Sequence, residues 1–144
     1  MDIFRNWVDP VTYSKIGFED VKIAIKNPSL HILINTLSLD LQKNLIKNTI
    51  PAEKEESIIN TIIEDYEMRK KKVFIYGRNS TDESAEKKAK QITGLGFAHV
   101  FLYCGGIFEW LLLQEIYGFQ EFPTTIHNKT IDLLTYRPEP VLTI

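Results

Sequence analysis

Residues 96–110 read GFAHVFLYCGGIFEW, and the way this stretch divides decides the fold. Phe97 to Tyr103 is a short, nearly continuous apolar run, the pattern of a strand covered on both faces. Gly105 and Gly106 break it, and the apolar residues that follow lead into a helix through Tyr117, ended by Gly118. Upstream of Gly96, the residues Ala85, Ala89, Ile92 and Leu95 share one helical face closed by Gly94 and Gly96, and Val73 to Tyr76 (VFIY) is a second buried strand. Between that strand and that helix lies a polar loop, Gly77-Arg78-Asn79-Ser80-Thr81-Asp82-Glu83. Strand, helix, strand, helix with short links predicts parallel βαβ units, whose crossovers are right-handed and whose sites lie at the carboxyl ends of the strands. Two loops therefore carry the functional expectation: Gly77 to Glu83, and Cys104 to Ile107.

Toward the amino terminus the alternation continues. Pro51 opens a long helical pattern with Glu53, Glu55 and Glu56 in its first turns and Arg69, Lys70, Lys71 and Lys72 at its end, a charge order that suits the helix dipole. Its stripe is Ile58, Ile59, Ile62, Ile63 and Tyr66. Leu45, Ile46 and Ile50 mark a short strand, Leu30 to Ile34 a buried one, and Gly17 to Lys26 either a short helix or a strand, with the helix preferred. After Phe122-Pro123, the segment with Ile131 to Leu134 and Arg137-Pro138-Glu139-Pro140 is expected to cross the domain as a strap.

The composition fits one domain. The 144 residues are 44% hydrophobic and 25% charged, values of an ordinary globular chain with a single core. A net charge of −2 argues against a nucleic-acid footprint over a whole face. No apolar stretch is long enough to span a bilayer, and the amino-terminal MDIFRNWVDP lacks the apolar run of a leader, so a cytoplasmic protein is expected. One cysteine, Cys104, excludes an intrachain disulfide and any zinc site with two cysteine ligands.

Over Ile16 to Tyr117 the order of elements and the two loops resemble a single-domain rhodanese. The match rests on Gly96-Phe97, the strand after them, the pair Gly105-Gly106, and Trp110 four residues beyond the second glycine. LIKNTI, residues 45–50, is more distantly similar to the family's His-Ile-Pro-Gly-Ala-Ile segment, agreeing at Ile46 and Ile50. The resemblance implies a three-layer α/β/α domain over residues 1–144 with a central parallel sheet of about five strands, residues 1–15 as an amino-terminal extension and 120–144 as a carboxyl-terminal strap. The ending GGIFEWLLLQEIYGFQEFPTT is similar to a subgroup of rhodanese-like proteins encoded by large DNA viruses, which implies the host cytoplasm.

The same resemblance exposes what is missing. In the family, a cysteine opens the loop after the VFIY-type strand, where backbone N–H groups and a helix N-terminus favour a thiolate that takes up sulfane sulfur as a persulfide. Here that position is Gly77, which has no side chain to carry sulfur. Asp82 and Glu83 lie where members often place arginine, Arg78 is retained, and the family's Asp-Val-Arg on the early strand reads Asn35-Thr36-Leu37. A rhodanese-like phosphatase needs the same loop cysteine and falls with it.

Other candidates are weighed against plainer roles. Cys104 precedes the Gly-Gly turn near a helix end and could replace the missing thiol; the preferred reading is a small buried hydrophobe, since no base is identifiable beside it. His31, His99 and His127 show no ligand spacing, and no metal or cofactor is expected. The Arg69 to Lys72 run is read as a solvated helix end, and Gly94-Leu95-Gly96-Phe97 closes a helix instead of opening one, which disfavours a dinucleotide site. Residues 107–117 are apolar nearly all round, which suits equally a helix under the strap and a surface for a protein partner or self-association. The expected function is a catalytically inactive rhodanese-like domain serving as a binding or regulatory module, with a small anion possible at the 77–83 loop; the alternative is a sulfurtransferase or redox protein using Cys104.

Overall fold

The computed structural model describes residues 13–127 and 130–142. The chain runs β1 (Ser14–Ile16), α1 (Phe18–Lys26), β2 (His31–Asn35), a 3-10 turn (Leu39–Leu41), β3 (Thr49–Ile50), α2 (Ala52–Glu64), β4 (Lys72–Tyr76), α3 (Glu83–Gly94), β5 (His99–Tyr103), α4 (Gly106–Tyr117) and a second 3-10 turn (Leu133–Tyr136). All five strands join one parallel sheet in the order β1-β5-β4-β2-β3, with Tyr76 level with both Asn35 and Tyr103 across the centre.

Alternation along the strands builds the layers, because successive side chains leave a strand on opposite faces. Phe74, Tyr76 and Tyr103 point to one face and pack with Val21 and Ala24 of α1 and Ile107, Trp110 and Leu111 of α4. Val73, Ile75, Val100 and Leu102 point to the other and meet Ile59 and Ile62 of α2 and Ala85, Ala89 and Ile92 of α3. Two buried faces explain the continuous apolar strands read from the sequence. Helices on both sides make the three-layer α/β/α arrangement expected.

Several boundaries move. Ser14 and Lys15, assigned to an extension spanning 1–15, belong to β1 and pair with Phe101 and Leu102; residues 1–12 lie outside the described residues. Gly17 to Lys26 resolves as helix, with Gly17 as its cap. Of the strand expected around Leu45, Ile46 and Ile50, only Thr49–Ile50 pairs with β2, while Ile46 bridges antiparallel to Thr124.

The larger correction concerns α2, which ends at Glu64 and leaves the Arg69 to Lys72 run outside it. Tyr66 adopts the left-handed conformation at φ +57; its N–H donates to the Ile63 carbonyl at 3.1 Å and that of Glu67 to Ile62 at 3.0 Å. That bond pair is a Schellman stop, satisfying the last carbonyls in the way glycine usually permits. Tyr66 is 91% exposed and off the apolar stripe, Lys71 Nζ donates to the Ser29 carbonyl at 2.6 Å, and Lys72 belongs to β4. Leu95 is likewise exposed, so the α3 stripe is Ala85, Ala89 and Ile92.

Of the strap at 120–144, the described part includes buried Phe122, Thr124 and Tyr136, and its 3-10 turn lies against α4. No helix among the described residues is long and apolar enough to cross a membrane.

Candidate functional site

The carboxyl ends of β4 and β5 carry the two loops singled out by sequence, and the structure brings them into contact. Gly106, at φ +67, presses its Cα side against the first loop: a Cβ there would lie 2.8 Å from both the Asn79 nitrogen and the Gly77 oxygen. Only glycine combines that conformation with that approach. The first amides of α4 are then satisfied by the loop, Ile107 N–H donating to the Gly77 carbonyl at 3.0 Å and Phe108 N–H to Arg78 at 2.9 Å.

The interior of the loop is filled by its own carboxylate. Asp82 caps α3, Oδ1 accepting from the Ser84 N–H at 3.0 Å and the Ser84 hydroxyl at 2.6 Å, while Oδ2 accepts from the Arg78 N–H at 2.8 Å. Burial alone pushes this carboxyl up, but the hydrogen bonds from Ser84 and Arg78, together with the Arg78 charge, outweigh it and hold it below the ordinary carboxylate range. A Cβ on Gly77 would sit 2.6 Å from Asp82 Oδ2 and 3.0 Å from Thr36 Oγ1. Thr36 in turn lies 2.8 Å from the Ser84 hydroxyl and hangs from the Tyr76 carbonyl through its own N–H.

Outward-facing groups of the loop hold the strap. Arg78 Nε and Nη2 donate to the Thr135 carbonyl at 3.2 and 2.8 Å, with Glu139 3.7 Å away, and Asn79 Nδ2 donates to the Tyr136 carbonyl at 2.8 Å. Asn79 Oδ1 closes the turn by accepting from the N–H and the hydroxyl of Thr81. Ser80 and Glu83 are exposed. A shallow cleft of about 370 Å³ remains, walled by Arg78, Thr81, Asp82, Arg137 and Glu139.

The remaining candidates separate from this centre. Asn35, 2% exposed, pairs with Gln42 through Nδ2 to Oε1 at 3.1 Å and Nε2 to Oδ1 at 2.7 Å, and Gln42 Oε1 also accepts from the first amide of α2. It is a brace between β2 and α2, and Gln42 was missed because nothing in its neighbourhood marks it. Cys104 is half-buried against the α2–α3 face, and its thiol donates weakly to the Leu102 carbonyl at 3.8 Å.

Trp110 is fully buried, edge-on to Tyr103 and Phe122, with Nε1 donating to the Pro123 carbonyl at 3.1 Å. Gly96 takes φ +106 at the turn after α3, and Phe97 is buried. His31 lies edge-on to Phe74 with its pKa lowered by burial, His99 is exposed, and His127 stacks on Phe119, so the three stay apart. Among the described residues no three His, Cys, Asp or Glu side chains gather as a metal cluster.

No protein-family model matches the chain, and no curated protein does. Solved structures match in shape. A protein of Bacillus halodurans is 24% identical, with 80% of each chain covered and a TM-score of 0.52. A full-length protein of Lactobacillus plantarum is 18% identical over 78% of this chain and 89% of its own, at 0.50. An As-Sb reductase of Leishmania major is 23% identical over 73% and 79%, at 0.51. At these identities the likeness establishes the fold, a rhodanese-like three-layer α/β/α sandwich on a five-stranded parallel sheet.

Proposed function

We propose that this domain is a catalytically inactive rhodanese-like module that binds or regulates, with Gly77 at the position where that family keeps its nucleophilic cysteine. The observation that carries this reading is the carboxylate of Asp82, 2.6 Å from where a Cβ of residue 77 would lie. The loop has no cysteine, and the space a side chain at position 77 would need is taken by an acid that engages the Arg78 amide. An incoming anion would find that amide used and the Arg78 guanidinium turned to the Thr135 carbonyl, which disfavours the 77–83 loop as an anion receptor.

Contact with a protein partner is left to other surfaces. The outer half of α4 leaves Leu112, Ile116 and Tyr117 exposed, whereas Ile107, Trp110 and Leu111 of the same helix are core. On the similarity of residues 105–125 to domains encoded by large DNA viruses, the proposal extends to the cytoplasm of a host cell.

The assay is incubation with thiosulfate, then cyanide, reading thiocyanate by colour and persulfide by intact mass. No turnover and no +32 Da adduct on Cys104 is the expected result. Thiocyanate formation that disappears in Cys104→Ser would overturn inactivity in favour of a sulfurtransferase acting through that thiol.

A further inference from the structure

Lysines from distant parts of the chain meet in a cleft that shares no residue with the loop site. Lys22 and Lys26 lie one turn apart on α1 and so face the same way. Lys47 joins them from the segment between the first 3-10 turn and β3, and the floor is Ile25, Gln120, Glu121 and Pro123, enclosing about 350 Å³.

The convergence is built into the backbone. Lys47 N–H donates to the Pro123 carbonyl at 3.1 Å, Ile46 bridges to Thr124, and Thr125 N–H donates to Leu45 at 2.7 Å, fixing the Lys47 segment to the 122–125 turn. Asn48, left-handed at φ +69, ties the same segment to α1 by donating from Nδ2 to the Ile25 carbonyl at 2.9 Å. Phe122 is buried and packs against Phe18 at 5.5 Å, holding the turn onto α1. The backbone segments that carry Lys22, Lys26 and Lys47 are thus tied to one another around the cleft all three lysines line.

Their charge is only partly answered. Lys22 pairs with Glu121 at 2.9 Å and lies 4.6 Å over the Phe122 ring, which fixes its position. Among the described residues, Lys26 and Lys47 have neither an ion-pair partner nor a side-chain hydrogen bond. Three cations against one carboxylate leave a positive excess in a chain whose net charge is −2. The hydrogen bond and charge of Lys22, with a smaller contribution from Lys26, hold the Glu121 carboxyl below its ordinary range. A lysine at the end of a helix is ordinarily explained by the dipole, and that accounts for Lys26 alone; Lys47 belongs to no helix.

We propose that this cleft is a binding site for a phosphate-bearing ligand carrying about two negative charges, seated between Lys26 and Lys47 with Gln120 as a neutral donor. Compact, strongly hydrated ammonium groups suit a phosphate that needs point charges rather than a planar fork. The site is open, so binding is salt-sensitive.

The test is titration of the 15N-labelled full chain with inorganic pyrophosphate at low salt. Saturable shifts at Ile25, Lys26, Lys47 and Gln120 are expected, while Arg69 and Lys70 on their exposed turn shift weakly and without saturation. In Lys26→Gln/Lys47→Gln, two exposed changes that leave the thermal midpoint in place, the apparent Kd should rise by about tenfold or more, each tenfold corresponding to ~1.4 kcal/mol. Sedimentation with phosphatidylcholine vesicles, with and without phosphatidic acid, separates the source: acid-dependent retention lost in the double variant assigns a lipid headgroup, and pyrophosphate binding without retention assigns a soluble phosphate. Equal shifts at Lys70 and Lys26, or an unchanged affinity in the double variant, would overturn the proposal.

Discussion

At residue 77 a single carbon atom has large consequences. Gly77→Cys must displace the Asp82 carboxylate from the Arg78 amide, because the new Cβ would lie 2.6 Å from Oδ2. In a Cys104→Ser background, the new thiol should react with iodoacetamide no faster than an ordinary exposed cysteine at neutral pH, since a neighbouring carboxylate disfavours the thiolate. Gly77→Cys/Asp82→Ala removes that carboxylate and should react several-fold faster; equal rates in the two would mean that Asp82 does not control the loop. Asp82 also sets a pH dependence. Its carboxyl is held below the ordinary value of 3.8, so the stability it contributes is fully present above that pH and is lost as pH falls through the lower folded value. The difference in thermal midpoint between the protein and Asp82→Asn should therefore be positive near neutrality and close below about pH 4. Asp82 was legible as an acid in the wrong place, but not as the occupant of the loop, because a side chain's reach across a turn depends on coordinates that spacing does not specify.

For elements, legibility followed the strength of local signals. The strands VFIY and HVFLY and the glycine-flanked helix between them were readable because burial on both faces and glycine stops leave plain marks. The end of α2 was not. Its stop depends on a left-handed tyrosine, a conformation that carries no sequence signature and that local charge order contradicted. An L-residue in that region is strained by roughly 1–2 kcal/mol, and Tyr66 at 91% exposure returns little packing. Tyr66→Gly should raise the thermal midpoint, with a gain of up to about 1 kcal/mol after the entropy of glycine in the unfolded chain is counted. A fall would show that the tyrosine ring makes a contribution beyond the turn. The short strand at Thr49–Ile50 was misplaced for a related reason: Ile46 is buried by pairing with Thr124, a partner 78 residues away.

Across the whole molecule, the strap, the loop and α4 form one interlocked unit. Tyr136 is buried, its carbonyl is held by Asn79, and the loop carbonyls in turn cap α4. Tyr136→Ala should lower stability by about 2–4 kcal/mol, in the range of large-to-small core changes. Amide exchange at Ile107 and Phe108 should speed up with it, by more than at the β4 amides; uniform acceleration would mean that the strap stabilises the domain without specifically holding the loop. The strap was anticipated as a cover, but its hydrogen bonds to Arg78 and Asn79 join segments 57 residues apart and could not be read along the chain.

Among the described residues the sheet ends in β1 and β3, three and two residues long, on opposite sides. Such brief borders present few free amides and carbonyls in register, too few for another extended chain to zip onto. Growth of the sheet by a foreign strand, a recurring means of peptide capture, is thereby curtailed. The surfaces proposed above for binding are accordingly helix flanks and turns, where the lysine cleft and the exposed Leu112, Ile116 and Tyr117 lie.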